Sequence, residues 1–266
     1  VEPEGEFEEF HSGFVALIGR PNVGKSTLMN ALIGVDLAIT TPKPQTTRNR
    51  ILGVRTFAEK GQLCFVDTPG IHKASKRLNR RMVKTALQAA KDVDLISLMI
   101  DAQDFIERSD DVHAGKIPRE EEFLFKRLGD IEAPVFLVLN KVDLVSPKEK
   151  LLPIIETLNE RREFAEVVPI SALKGDNLNT LAGLFLQHLP EGPPLFPEDM
   201  LTDQAERFLA AEFVREQIME QTRQELPYSV AVEIDRFVEK PEKDLIDIEA
   251  VIHVERESQK GIIIGK

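Results

Sequence analysis

Short apolar runs, each cut off by a polar loop, set the rhythm of the first part of the chain. Phe14 to Ile18, Leu63 to Val66, Leu95 to Ile100, Val135 to Leu139 and Val167 to Ile170 are rich in Val, Ile, Leu and Phe, and predict strands. Between them lie helical patterns over Leu78 to Ala90, Glu120 to Leu128, Lys148 to Leu158 and Leu178 to Leu189. Ser146 before Pro147 reads as an N-cap followed by a first-turn proline. Continuous apolar strands alternating with helices imply an α/β fold whose mainly parallel sheet is covered by helices on both faces. Ligands then sit beyond the carboxyl ends of the strands.

The rhythm changes near Leu189. Pro190, Gly192, Pro193, Pro194 and Pro197 exclude a regular element, so a domain boundary is expected there. Beyond it Thr202 to Gln224 reads as a helix capped by Thr202, with Phe208, Leu209, Phe213, Ile218 and Met219 as apolar positions. Val230, Val232 and Ile234, then Ile246, Ile248, Ala250, Ile252 and Val254, alternate with mostly polar neighbours and predict two strands. The expected organisation is an acidic tail at 1–12, an α/β domain at 13–189, a proline-rich linker at 190–201 and a smaller α+β domain at 202–266.

At 266 residues the chain exceeds one compact core, which agrees with two domains. Its 42% hydrophobic and 30% charged residues are a globular composition. Cys64 is the single cysteine and lies in an apolar run, so an inert core thiol and a reducing compartment are expected. No run approaches 18 apolar residues, and Val1 to Phe10 carries five Glu and no Lys or Arg, which reads as a disordered acidic tail rather than a secretory signal. The net charge of -11 argues against unspecific attraction to nucleic acid or anionic lipid. One stretch departs from it: Ile71 to Thr85 holds His72, Lys73, Lys76, Arg77, Arg80, Arg81 and Lys84 without an acid, a solvated helix face by patterning alone.

The chemistry is concentrated at the strand ends. Gly19 to Ser26 has the GxxxxGK[ST] spacing between a strand and a helix running through Leu32. Its glycines let backbone N–H groups curl around phosphates, Lys25 reaches the β and γ phosphates, and the Ser26 hydroxyl suits magnesium. Asp67-Thr68-Pro69-Gly70 puts a second magnesium ligand beside that loop, with Gly70 free to turn its N–H toward a γ phosphate. In Asn140-Lys141-Val142-Asp143 the Asp143 carboxylate can accept both hydrogen bonds that the ring N–H and amine of guanine donate; adenine offers no such pair. Asn140 would meet another edge of the base, the Lys141 stem its face, and Ser171-Ala172-Leu173 would bring backbone near the base oxygen. The candidate nucleotide set is Gly19, Asn22, Val23, Gly24, Lys25, Ser26, Thr27, Asp67, Gly70, Asn140, Lys141, Asp143, Ser171, Ala172 and Leu173.

These residues resemble the translation-factor-related class of small GTPases, and more closely the Era family of ribosome-assembly GTPases. GRPNVGKSTLMNALIG, PQTTRNRILG, DTPGIHK and NKVD are similar to its nucleotide domain; TDQAERFLAAEFVREQ, ELPYSVAVEIDRF and VIHVERESQKGIIIGK are similar to the start of its type II K-homology RNA-binding domain. The resemblance implies a P-loop GTPase domain plus a K-homology domain incomplete at its C-terminal end. It makes Thr46 or Thr47 the switch threonine, Thr47 being preferred because it directly precedes Arg48. Magnesium ligands would then be Ser26, Thr47 and Asp67, and catalysis would rest on Lys25, Thr47 and Gly70. Residues Lys43 to Asn49 and Ile71 to Lys84 become switches, and the basic stretch becomes a candidate RNA contact.

The chain ends inside the family's GxxG loop, so Gly265 and Lys266 are the candidate RNA-binding residues. By propensity Ile262 to Ile264 is a strand; the resemblance makes it the helix entering that loop. From Glu198 onward nine Lys or Arg face seventeen Asp or Glu, so phosphate attraction is not visible in this domain. Ser109 to Glu121 is longer than the family pattern and reads as a surface excursion.

The implied reaction is attack of water on the γ phosphate of GTP, with magnesium as cofactor. Ile71 follows the DTPG motif and cannot orient water, and Arg48 is a weak arginine-finger candidate. Turnover is therefore expected to be slow without a partner or an ion, and Asn22 matches the position at which similar GTPases hold potassium. Implied partners are small-subunit ribosomal RNA and the small ribosomal subunit, with a monomeric cytoplasmic protein and peripheral membrane association as a further partner class. A GTP-gated protein- or membrane-binding module is the competing reading. An ATP-using kinase is a third, against which Asn140 to Asp143 speaks.

Overall fold

The computed structural model describes residues 1–266 apart from 7, 42, 44, 45, 72–83, 110–115, 130, 223–225 and 266. Most of the basic stretch, the start of the excursion after Ser109 and Lys266 therefore lie outside the described residues.

Among the described residues the first domain is built on β1 (His11–Gly19), β2 (Ile51–Phe57), β3 (Gly61–Asp67), β4 (Leu95–Asp101), β5 (Val135–Asn140) and β6 (Glu166–Pro169), in the order β2-β3-β1-β4-β5-β6. Every pairing is parallel except β2 with β3. β2 was not expected as a strand. Its Ile51, Val54, Thr56 and Phe57 are good strand formers, but Gly53 and Arg55 interrupt a continuous apolar reading. As an antiparallel edge it needs only a short turn from β3.

Alternate strand residues feed opposite cores. Val15 and Leu17 pack with α1 (Lys25–Ile33) and α5 (Leu178–His188), whereas Ala16 and Ile18 face the helical residues 84–89 and α3 (Arg119–Leu128). Toward β5, Leu137 and Leu139 meet α2 (Ala102–Arg108) and α4 (Leu151–Asn159). Phe136 is fully buried and stacks on Phe185 at 5.3 Å between centroids. Because β1 lies between β3 and β4, the crossovers leave it in opposite directions, and a crevice opens at its carboxyl end.

The remaining chain forms α6 (Glu206–Gln221), β7 (Val230–Lys240), β8 (Leu245–Val254) and α7 (Glu257–Ile264), with β7 and β8 antiparallel. Ile262 to Ile264 is thus helical, as the family resemblance implies and against its own strand propensity.

Several local expectations are corrected. Thr202 does not cap α6, which starts after Ala205; its hydroxyl instead donates to Leu52 O at 2.6 Å and fixes the linker to β2. Pro147 precedes a 3-10 turn at Lys148–Lys150 rather than opening an α-helix, and α4 begins only at Leu151. The acidic start at 1–12 is no free tail: Glu4 N donates to Asn179 O, Pro3 is buried, and His11 and Ser12 belong to β1. The Glu4 carboxylate accepts from the Thr180 hydroxyl at 2.7 Å. The linker also packs, because buried Gln62 spends its amide on the backbone of Leu195 and Phe196.

Candidate functional site

At Gly19 the chain leaves β1 for a loop that closes on α1. Gly24 caps α1 with φ 100°, and a Cβ there would come within 2.3 Å of Asn140 Nδ2, so only glycine lets the loop approach β5. No side chain caps α1, so its first-turn N–H groups stay available to an anion. They lie at a cleft of about 550 Å3 that Lys25, Ser26, Thr27, Thr47, Gly70 and Lys141 help to line. Lys25 is buried, its ammonium 3.1 Å from Arg20 O. Burial pulls its pKa down, and the charge of Asp67 opposes that.

The magnesium candidates converge. Ser26 Oγ donates to Asp67 Oδ2 at 2.7 Å, Thr47 Oγ1 lies 3.2 Å from the same oxygen, and the two hydroxyls are 3.0 Å apart. Thr46 turns away, donating to Lys43 O at 2.7 Å. Asp67 is fully buried, and its Oδ1 has no hydrogen-bond partner among the described residues. Burial raises the Asp67 pKa, against Lys25, the two hydroxyls and the Thr68 N–H. A buried carboxylate with an idle oxygen beside two hydroxyls is a hard-oxygen donor set that fits magnesium. Gly70 lies against this loop so closely that a Cβ would meet Pro21 N at 2.5 Å, and Ile71 N donates to Gly19 O at 3.0 Å.

The base loop follows β5. Asn140 Nδ2 donates to Val23 O at 2.8 Å and its Oδ1 accepts from Ala172 N at 2.9 Å, so one carboxamide ties the first loop to the Ser171–Leu173 turn. One Nδ2 hydrogen remains for a base, but the Ala172 N–H is already engaged. Ser171 is buried and its hydroxyl accepts from Lys174 N, whereas Leu173 is exposed at the cleft mouth. Lys141 adopts φ 62°, and half-buried Asp143 follows in the 3-10 turn Val142–Leu144.

The geometry meets a close set of relatives. Residues 14–141 match the family model described as 50S ribosome-binding GTPase, and residues 225–266 the KH domain. The chain is 52% identical to GTPase Era of Syntrophus aciditrophicus over 97% of its length and 80% of that protein. It is 49% identical to GTPase Era of Geobacter metallireducens, over 97% and 82%. It belongs to the Era family. Among solved structures, Era in complex with MgGDPNP and nucleotides 1506–1542 of 16S ribosomal RNA is similar at a TM-score of 0.88 and 43% identity, covering 97% of this chain and 83% of that one. An Aquifex aeolicus Era variant bound to GDP and AlF4- gives the same values. This Era-family chain is accordingly a P-loop GTPase with a KH domain, as the motifs imply.

The site of the Era-family chain also has partners that lie outside its nucleotide motifs, Asp104, Arg108 and Glu121 among them. Arg20 donates to Asp104 at 2.6 Å, and Arg108 bonds the same carboxylate and buried Glu121, so the far end of the expected surface excursion is a buried ion partner. Arg48 is not poised as a finger: its guanidinium donates to Val230 O at 2.8 Å, Pro227 O at 3.2 Å and Tyr228 O at 3.3 Å. Burial and neighbouring Arg215 lower its pKa, with Glu212 opposing. Arg215 in turn donates to Thr46 O at 2.6 Å, Glu216 accepts from Thr40 N at 2.7 Å, and the Lys43 ammonium reaches Met219 O and Thr222 O. Gly265 follows α7 with φ 78° and stands apart from the cleft lining.

Proposed function

We propose that this GTPase is a switch that binds small-subunit ribosomal RNA through its second domain and assists assembly of the small ribosomal subunit. The 13–189 and 202–266 parts are read as its working halves, joined by 190–201. The observation that carries the reading is the grip of the second domain on residues 40–48. Thr47 faces Ser26 and Asp67, while its neighbours Thr46 and Arg48 are bonded to α6 and the entry to β7. Any shift of Thr47 with the γ phosphate would therefore be felt by the second domain. The relative solved with 16S ribosomal RNA and MgGDPNP supports the partner.

Lys25 would neutralise the β and γ phosphates, Gly70 would donate its N–H to the γ phosphate, and Asp143 would select guanine. Ser26, Thr47 and Asp67 would hold magnesium, which supplies charge neutralisation when bound. The Ile71 side chain is fully buried and has no polar group for orienting water, and Arg48 is engaged elsewhere, so neither of these two residues compensates the charge. Potassium held at Asn22 is the proposed substitute. Hydrolysis should run faster in potassium than in sodium, and Asn22→Ala should erase the difference; equal rates in both salts would end that idea.

The protein is read as a monomer of the cytoplasm. No described helix is long and apolar enough to cross a membrane, so membrane association would be peripheral. Capture of ribosomal RNA by GTP-loaded and GDP-loaded protein, followed by sequencing, tests the whole. Enrichment of small-subunit RNA that depends on the nucleotide is expected, and nucleotide-independent capture of RNA at large would overturn the reading.

A further inference from the structure

Asp101 ends β4 directly across from Asn140, which ends β5, so parallel register brings it beside the base loop. Its carboxylate is divided between two tasks. Oδ1 accepts from Asp104 N at 3.1 Å and caps α2; Oδ2 pairs with Lys141 Nζ at 2.6 Å. The Asp101 side chain is 11% exposed and that of Lys141 34%, so the pair is partly shielded from water. Lys141 leaves β5 in a left-handed turn and lines the cleft. A lysine stem has four rotatable bonds and loses its freedom when laid along a ligand. An anchor at the ammonium removes that freedom before the ligand arrives. The first turn of α2 also carries the Asp104 carboxylate, which holds Arg20, whose carbonyl meets the Lys25 ammonium. The corner between β4 and α2 thus braces both nucleotide loops from behind.

We infer that Asp101 is a positioning residue for guanine nucleotide binding, holding the Lys141 side chain extended along the cleft wall where the base is to lie. This rests on the assignment of Asn140 to Asp143 as the base loop. Neither Asp101 nor α2 belongs to a nucleotide motif, yet Asp101 stands at a strand end as Asp67 does.

Asp101→Asn separates the two tasks. Asparagine is as good a helix cap as aspartate, so its oxygen can keep the bond to Asp104 N, which turns the amide N–H2 toward the Lys141 ammonium. Fluorescent GDP dissociation constants for the parent, Asp101→Asn, Lys141→Met and the double variant form a cycle. Asp101→Asn should weaken binding about threefold to tenfold, the range of a partly shielded ion pair. In the Lys141→Met background it should add less than about twofold. The urea midpoint should stay near the parent value, and Asp101→Ser, which also caps, should reproduce the affinity loss if the Asn variant fails to fold. Additive effects, or parent-like affinity for Asp101→Asn, would overturn the inference. A Lys141→Met variant with unchanged affinity would overturn the base-loop assignment itself, and the inference with it.

Discussion

The two sheets of this protein treat water differently. β3, β4 and β5 are buried along nearly their whole length, whereas β7 and β8 expose one residue after another, Leu245, Ile246, Ile248 and Val251 among them. The first sheet has helices on both faces; in the second, α6 covers only part of one. Rigidity follows burial. The nucleotide cleft sits where buried strand ends fix Asp67, Asn140 and Asp101, while the second domain meets the first through Phe208 and Leu209 packed on its core and through hydrogen bonds from Arg48, Arg215 and Lys43 to backbone carbonyls. Each such bond ends on a single backbone carbonyl rather than on a packed apolar face, so this contact is directional where the first core is not.

The contrast is broken most forcefully in the core. Phe136→Ala should cost about 3–5 kcal/mol of unfolding free energy, because the stack against Phe185 cannot close over the gap. Urea denaturation with bound GDP checks it; a loss under about 1 kcal/mol would mean that the first domain is far looser than its burial implies. Next comes the cleft. Asp143→Asn should weaken GTP well over tenfold, about 1.5–3 kcal/mol, while xanthosine triphosphate binding improves. Unchanged selectivity would remove the guanine assignment.

Across the joint, Arg48→Ala should cost about 1–2 kcal/mol, since three backbone carbonyls lose their donor. Hydrogen exchange should quicken in residues 226–234, with nucleotide affinity within about twofold of the parent; unaltered exchange would deny Arg48 a bracing role. The smallest effect is expected at the exposed sheet. Ile248→Ala should change stability by less than about 0.5 kcal/mol, and a larger loss by urea titration would show that something covers this face in solution.

A different measure sharpens the same division. Burial, with a lesser push from Asp94, raises the Cys64 thiol to about 12. The unfolded thiol ionises near pH 8.5, so the folded state retains a proton that the unfolded state has lost. Stability from this group is complete below about pH 8.5 and falls as pH rises toward 12. Alkylation at pH 8.5 should therefore require unfolding, and rapid labelling of native protein would contradict the buried placement of β3.

The sequence by itself determined the nucleotide loops, because phosphate and guanine chemistry leaves few residues able to do the work. Gly24, Lys25, Ser26, Asp67 and Asp143 are legible one motif at a time. It also determined the five continuous apolar strands, the proline-rich break and the two alternating strands, since periodicity records which face meets water. Only the tertiary structure decided what depends on neighbours distant in the chain. β2 is a strand because β3 offers it an edge, and α2 is a helix of seven residues whose cap, Asp101, has its second oxygen on Lys141. Thr47 rather than Thr46 faces Asp67 where α6 holds the carbonyl of Thr46 and β7 the side chain of Arg48. Local patterning carries no information about a partner more than 150 residues away, and packing in three dimensions supplied it.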